Sequence, residues 1–256
     1  EIDSDKFEDI LKEAEVETRK VTSNMLVNIA KEADKEKRRE DKKDAYRNAS
    51  KNFDEKHIQI IEGDFREVKI KENSIDLILT DPPYPKEFLN LWQDMFEQAE
   101  RILKPSRFLV CYANHQNLNE IFKLKNDLIY YWIFKLDFTQ KPIAMGRNLI
   151  ATWKPVLIFQ KKPFQKIKET IEDNVKEYEK FEPSQRDMHD KNWAQSSGKF
   201  EYLMDKFSDV NELVYDPFAG TGTALVAAKK MKRKCLGVEI EHQYIDLIKG
   251  RLSDGI

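Results

Sequence analysis

The sequence predicts an α/β fold, an open and mainly parallel sheet with helices on both faces. Short apolar runs recur after His57, and stretches of helical period lie between many of them. No apolar run approaches the ~20 residues a bilayer span needs. At 256 residues the chain holds one large domain, or one plus an appendage. Hydrophobic residues make up 40% and charged residues 35%, so a sizeable core lies beneath a heavily solvated surface. Lys plus Arg total 44 and Asp plus Glu 46, and a net charge of −2 gives no global attraction to nucleic acid. Any such contact must come from local patches.

Residues 1–56 read as a charged helical extension. Phe7, Ile10, Leu11 and Ala14 recur at helical spacing behind Ser4 as N-cap, and Val21, Met25, Leu26 and Ile29 mark a second short helix. From Lys31 to Lys51, nine basic and six acidic residues leave little to bury, which describes a solvated helix or linker. The local excess of positive charge also allows a nucleic-acid or partner contact. The acidic opening lacks the basic-then-apolar layout of a signal peptide, and the expectation is a cytoplasmic protein. Cys111 and Cys235 have no partner at metal-ligand spacing and read as core thiols, with no metal site expected. The four histidines are scattered and read as packing or surface groups.

From residue 57 to 256 seven strands are expected, at 57–62, 75–80, 108–113, 128–135, 156–160, 212–215 and 234–239. The clearest helix is 88–103, with Phe88, Leu91, Trp92, Met95, Phe96 and Ala99 on one face and a stop before Pro105. Others are expected at 198–207, 223–231 and 242–252.

Two loops carry the chemistry. The first is Asp216-Pro217-Phe218-Ala219-Gly220-Thr221-Gly222-Thr223, which joins an apolar strand to a helix. Only 8 glycines occur in the whole chain, about 3% against a usual ~7%, so two at i and i+2 in such a turn are informative. Glycine lets the backbone approach a ligand, and the helix start offers free N–H groups. Leu225 stands where a dinucleotide-binding loop has its third glycine, and no phosphate-loop lysine follows. The next strand ends at Glu239, placed to bond a ribose diol. A nucleoside without a pyrophosphate fits.

The second loop is Asp81-Pro82-Pro83-Tyr84-Pro85, at the end of an apolar strand. Its prolines fix φ and withhold N–H donors, so carbonyls and the Asp81 carboxylate converge as acceptors. That suits an amine substrate, and Tyr84 adds a flat face for a planar base.

At these residues the chain resembles S-adenosylmethionine-dependent amino-methyltransferases of DNA. Asp81, Pro82, Pro83 and Tyr84 match the family's catalytic motif, and 216–223 its cofactor loop. With the catalytic motif first, the order is similar to the circularly permuted beta group of N6-adenine and N4-cytosine enzymes. The resemblance implies a Rossmann-like sheet and S-adenosylmethionine as cofactor. It places Asp216, Pro217, Phe218, Gly220, Gly222 and Thr223 around the methionine part, Glu239 and Ile240 at the ribose, and Asp64 with Phe65 at the adenine. Gln195 and Ser196 stand where the family contacts the cofactor carboxylate, although Ser196 and Ser197 replace the usual Lys-Pro. Residues 83–87, the run Trp153-Lys154-Pro155 and Trp193-Ala194-Gln195-Ser196 also resemble the methylase half of proteins that carry a partition-protein-like domain in front.

The implied reaction is N6 methylation of a flipped DNA adenine. N4-cytosine methylation, for which the family more often has Ser in place of Asp81, methylation of an RNA base, and a non-catalytic DNA-binding subunit are the alternatives. No acidic residue occurs between Asp137 and Glu169, while seven basic ones do, interleaved with aromatics. This stretch is the expected nucleic-acid track, with Lys141, Arg147, Trp153 and Lys154 as contacts. The basic run 229–234 fits either nucleic acid or a helix end. A target-recognition segment is expected at about 162–192, short enough that a homodimer or partner subunit could supply specificity. The strands before Asp81 and Asp216 should be neighbours at a topological switch point.

Overall fold

The computed structural model describes residues 25–30, 33, 37, 55–138, 143–144, 148–176 and 197–253. The chain divides into two compact units, Glu1–Lys51 and Asn52–Ile256. In the first, residues 25–30 are helical, inside the stretch expected to form the second helix. The expected first helix and most of the charged run lie outside the described residues.

The second unit is built on ten strands: β1 (Ile58–Glu62), β2 (Ile75–Thr80), β3 (Leu103–Tyr112), β4 (Ile129–Asp137), β5 (Ile143–Ala144), β6 (Leu149–Ile150), β7 (Trp153–Gln160), β8 (Asn174–Val175), β9 (Leu213–Asp216) and β10 (Lys234–Glu239). Eight of them form one sheet in the order β1-β10-β9-β2-β3-β7-β4-β8, and β5 pairs with β6 separately. The run from β1 to β3 is parallel throughout, whereas β7 is antiparallel to both β3 and β4. All seven expected strands are present. The eighth, β8, is a two-residue edge strand, too short to show a period in sequence. β3 starts at Leu103 rather than 108, with a register shift against β2 between Leu103 and Phe108.

The β2 strand is apolar along its length because both of its faces are covered. Leu77, Leu79, Val110, Tyr112, Val156, Ile158 and Val214 point to one core, and Ile75, Ile78, Leu109, Cys111, Leu157, Phe159 and Tyr215 to the other. From Leu77 onward this is the period of two expected of pleated strands, and Ile75 departs from it where the β2–β3 register shifts. Helices α1 (Leu89–Ile102) and the short α2 (Leu118–Ile121) cover the second face. Helices α3 (Ser197–Phe207), α4 (Thr223–Met231) and α5 (His242–Ser253) cover the first. In α1 the buried apolar residues are Trp92, Met95, Phe96, Ala99 and Ile102, one stripe at helical spacing. The helix ends at Ile102, three residues before Pro105.

A polar clasp ties the strand starts together. The buried Asp76 carboxylate accepts from Lys104 Nζ at 2.6 Å and from the Leu213 backbone N–H at 3.0 Å, and Arg107 bridges it to Glu212. It joins β2, β3 and β9 at the end opposite the loops described next. The basic run 229–234 is likewise absorbed by the fold: Lys229 caps the Leu252 carbonyl, Lys230 reaches Ser197 and Glu201, and the buried Arg233 bonds Ser208 and Met231.

Phe96 is fully buried and meets Phe159 edge-on at 5.0 Å. Phe96→Ala should lower the unfolding free energy by ~3–5 kcal/mol, the cost of an aromatic-sized cavity, read from urea melts.

Candidate active site

Parallel strands end at the same edge of a sheet, so the order β1-β10-β9-β2 lines up four loops side by side. Asp64 and Phe65 follow β1, Glu239 and Ile240 close β10, Asp216 to Gly222 follow β9, and Asp81 to Tyr84 follow β2. The two loops singled out in the sequence are neighbours, since β2 pairs in parallel with β9 at Leu77↔Val214 and Ile78↔Tyr215. Beyond that ladder a side-chain bond spans the junction: Thr80 Oγ1 donates to Asp216 Oδ1 at 2.6 Å. Thr80 was not picked out from sequence, although a polar residue closing a buried apolar run was the available signal.

The glycine loop is shaped by its backbone. Gly220 has φ +50° and Gly222 φ +81°, values that favour glycine, and a Cβ on Gly222 would lie 2.8 Å from Ile248 Cγ1. A Cβ on Gly220 would meet only one backbone oxygen at 4.0 Å, so that side of the loop is open. Glu239 holds the loop, accepting from Gly220 N–H at 2.6 Å through one oxygen and from Glu241 N–H at 2.9 Å through the other. Phe65 and Phe218 meet edge-on at 4.8 Å, and Asp64 is gripped by Arg66 through Nε at 2.9 Å. That guanidinium holds the Asp64 carboxyl below its usual range. Ile240, expected at the ribose, is 66% exposed.

The acceptor loop is fixed from behind. Trp92 Nε1 donates to the Pro83 carbonyl at 3.3 Å, and Asn117 Nδ2 donates to the Tyr84 carbonyl. The Tyr84 hydroxyl donates to Asp81 Oδ1, and Lys154 Nζ lies 2.8 Å from that hydroxyl and 3.5 Å from Asp81 Oδ2. Burial first, and the Asp81 charge second, push the Tyr84 phenol well above its ordinary range, so it remains a donor. Neither Trp92 nor Asn117 carried a local sequence signal for this role, because each reaches the loop only through the packing of α1 and α2.

The expected nucleic-acid track divides. Trp153 and Lys154 begin β7 at the loop edge, with the Trp153 ring 4.4 Å from His115. Because β7 is antiparallel to β3, it carries Lys161 and the lysines after it to the opposite edge, ~25 Å away at strand rise. There Lys161 caps the Leu103 carbonyl, Lys162 meets Asp127 and Lys168 meets Asp209. Lys161, Lys162 and Lys168 thus stand at the edge away from the two loops, apart from Trp153 and Lys154. Lys141, Arg147, Gln195 and Ser196 lie outside the described residues, as does the expected recognition segment beyond residue 176.

A family model described as DNA methylase, of the N6/N4 type, matches residues 75–250, from the first residue of β2 into α5. The chain belongs to that family. An RMKL-like methyltransferase-domain model also matches residues 4–131. Among curated relatives, the type II methyltransferase M.HpaI of Haemophilus parainfluenzae is 26% identical over 221 residues, covering 72% of this chain and 70% of its own. Among solved structures, the cytosine-N4-specific PvuII DNA methyltransferase aligns with a TM-score of 0.64 at 17% identity, over 77% of this chain and 86% of that one. The complex of M1.HpyAVI with S-adenosylmethionine aligns at 0.59 and 20% identity, over 76% of this chain and 99% of that one. These likenesses share the α/β fold described above. The methylase is thus of the N6/N4 DNA methylase type.

Within the methylase, Asp216 is fully buried. Burial raises its carboxyl from 3.8 to about 7, against the bonds from Thr80 and Phe218, with the Asp81 and Glu239 charges adding to the rise. Both donors bond Oδ1, so Asp216→Asn keeps both acceptances. A carboxyl raised on folding contributes stability that is full below its unfolded value and lost as pH climbs through about 7. The Asn variant should therefore gain on the wild type by ~3 kcal/mol between pH 4.5 and pH 8, in paired urea melts.

Proposed function

We propose that the methylase is an adenine-N6 methyltransferase of the permuted beta group, acting on a base flipped out of DNA. The observation that carries this reading is the parallel pairing of β2 with β9, which sets the Asp81 acceptor loop beside the glycine loop at one crevice. Asp81 at the head of its motif, where N4-cytosine enzymes more often have Ser, and the catalytic-first order support the finer assignment. The cytosine-N4 specificity of the PvuII enzyme favours N4 methylation as the second reading.

The residues present fit the cofactor. The open side of Gly220, the Glu239 carboxylate and the aromatic pair Phe65–Phe218 offer backbone approach, diol acceptance and a planar contact. A cationic sulfonium complements a slot whose carboxyls, Asp81, Asp216 and Glu239, feel one another's charge. Bound there, S-adenosylmethionine supplies an electrophilic methyl group.

An exocyclic amine is a weak nucleophile because its lone pair is delocalised into the ring. Asp81 Oδ2 and the Pro82 carbonyl are the acceptors that would hold its two N–H groups, which favours a pyramidal nitrogen with its lone pair aimed at the methyl carbon. This is positioning and charge stabilisation without a covalent intermediate. As the new C–N bond formed and the methyl–sulfur bond broke, leaving the neutral thioether S-adenosylhomocysteine, the positive charge passed to the amine would be met by Asp81, along whose hydrogen bond a proton would depart. Inside a duplex the amine cannot reach the crevice, so the base must leave the stack, and the ring of Tyr84 is the surface to receive it. Trp153 at the loop edge, with Lys141 and Arg147 in the segment between β4 and β7, is assigned to the DNA strand.

Asp81→Ala should cut methyl transfer by ~10²- to 10³-fold or more while cofactor affinity, measured by calorimetry, stays within about twofold. Transfer from labelled S-adenosylmethionine to duplex DNA, single-stranded DNA and RNA, followed by nucleoside analysis, tests the substrate; N4-methylcytosine or a labelled RNA base would overturn the adenine reading.

A further inference from the structure

Lys154 lies 3.5 Å from Asp81, and its surroundings differ from those of a phosphate-binding lysine. Its side chain is only 12% exposed. The ammonium lies over the Tyr112 ring at 4.5 Å and the Tyr84 ring at 5.3 Å, in a box closed by aromatic faces and one carboxylate. Tyr112 is in turn stacked on Phe200 of α3 at 5.0 Å, so the box has a rigid wall. A lysine that meets phosphate keeps its head in water along an apolar stem. This one has its head buried, and desolvation lowers its proton affinity against the pull of Asp81.

The geometry points to Lys154 as a positioning residue for methyl transfer, acting through Tyr84 on the Asp81 carboxylate. The ammonium donates to the Tyr84 oxygen at 2.8 Å, and Tyr84 donates onward to Asp81 Oδ1. With its oxygen accepting from Lys154, the phenol directs its single proton to Asp81, which fixes the carboxylate rotamer that would meet an amine N–H. The direct approach of Lys154 to Oδ2 is 3.5 Å, the limit of a hydrogen bond. A cation on the reacting nitrogen itself would oppose the charge developing there, so the useful contact is the one to the tyrosine. Tyr84 then works as a hinge pin as well as a base platform: one ring face carries the lysine and its hydroxyl holds the acid.

This inference rests on the proposed methyl transfer to DNA, and a double-mutant cycle on the whole chain separates the two. Wild type, Lys154→Met, Lys154→Arg, Tyr84→Phe and the Met/Phe double variant are compared for kcat, KM for S-adenosylmethionine, and DNA affinity across a salt series. Lys154→Met and Tyr84→Phe should each lower kcat by ~10- to 100-fold, the cost of a misaligned acceptor. The double variant should be no slower than the slower single, because both break one chain of bonds. Lys154→Arg should recover part of the rate, while KM for the cofactor and the salt slope of DNA binding stay at wild-type values. A retained kcat with weaker DNA binding and a salt slope reduced by about one would make Lys154 a phosphate contact and overturn the proposal. So would independent, multiplicative losses in the double variant, or a Lys154→Met variant as fast as wild type. A wild-type chain that transfers no methyl group to DNA would instead refute the functional reading on which the cycle depends.

Discussion

The parallel contact between β2 and β9 is the constraint from which the rest of the site follows. Two strands 137 residues apart in the chain lie side by side, their ladder is only two residue pairs long, and beyond it the backbones part. What prevents a wider gap is polar. Thr80 holds Asp216 at the loop edge, and the Asp76 carboxylate holds Leu213 at the other. The acceptor loop and the glycine turn are thereby held side by side, which the proposed reaction needs. Were β10 next to β2 instead, the same two loops would stand a strand apart and could not serve one ligand and one base.

Carboxyl groups outnumber cations around the two loops, where Lys154 lies beside Asp81. Asp81, Asp216 and Glu239 gather where no metal is assigned, and each is restrained differently: Asp81 by Tyr84 and Lys154, Asp216 by Thr80 and the Phe218 N–H, Glu239 by two backbone N–H groups. Hydrogen bonds from fixed donors keep these carboxyl groups oriented. The arrangement is preorganised for positive charge before any arrives.

Much of this was legible in the sequence, for physical reasons that can be named. Apolar runs such as Ile75 to Leu79 read as a strand because burial on both faces removes the polar alternation, and α1 read as a helix because Trp92, Met95, Phe96 and Ala99 keep a stripe. The two loops were visible because glycine is scarce here and because two consecutive prolines after an aspartate are hard to explain as filler. What stayed hidden depended on direction and distance. Nothing in the composition of 138–168 says that β7 reverses, yet that reversal sends Lys161, Lys162 and Lys168 to the opposite edge. Thr80, Trp92 and Asn117 act through contacts between elements, to which local pattern is blind. Lys154 was noticed as a charge, whereas its significance lies in how little water it touches.

The placement of β9 between β10 and β2 has a consequence for assembly. Its partner β10 is a close neighbour along the chain, but its partner β2 is remote, so the β2–β9 seam belongs to the contacts of highest sequence separation and closes late relative to local ones. Any small molecule that spans that seam binds only the finished sheet and stabilises it by mass action. The donor of the methyl group would thus double as a staple across a joint between remote parts of the chain, tying the supply of one metabolite to the lifetime of the folded enzyme.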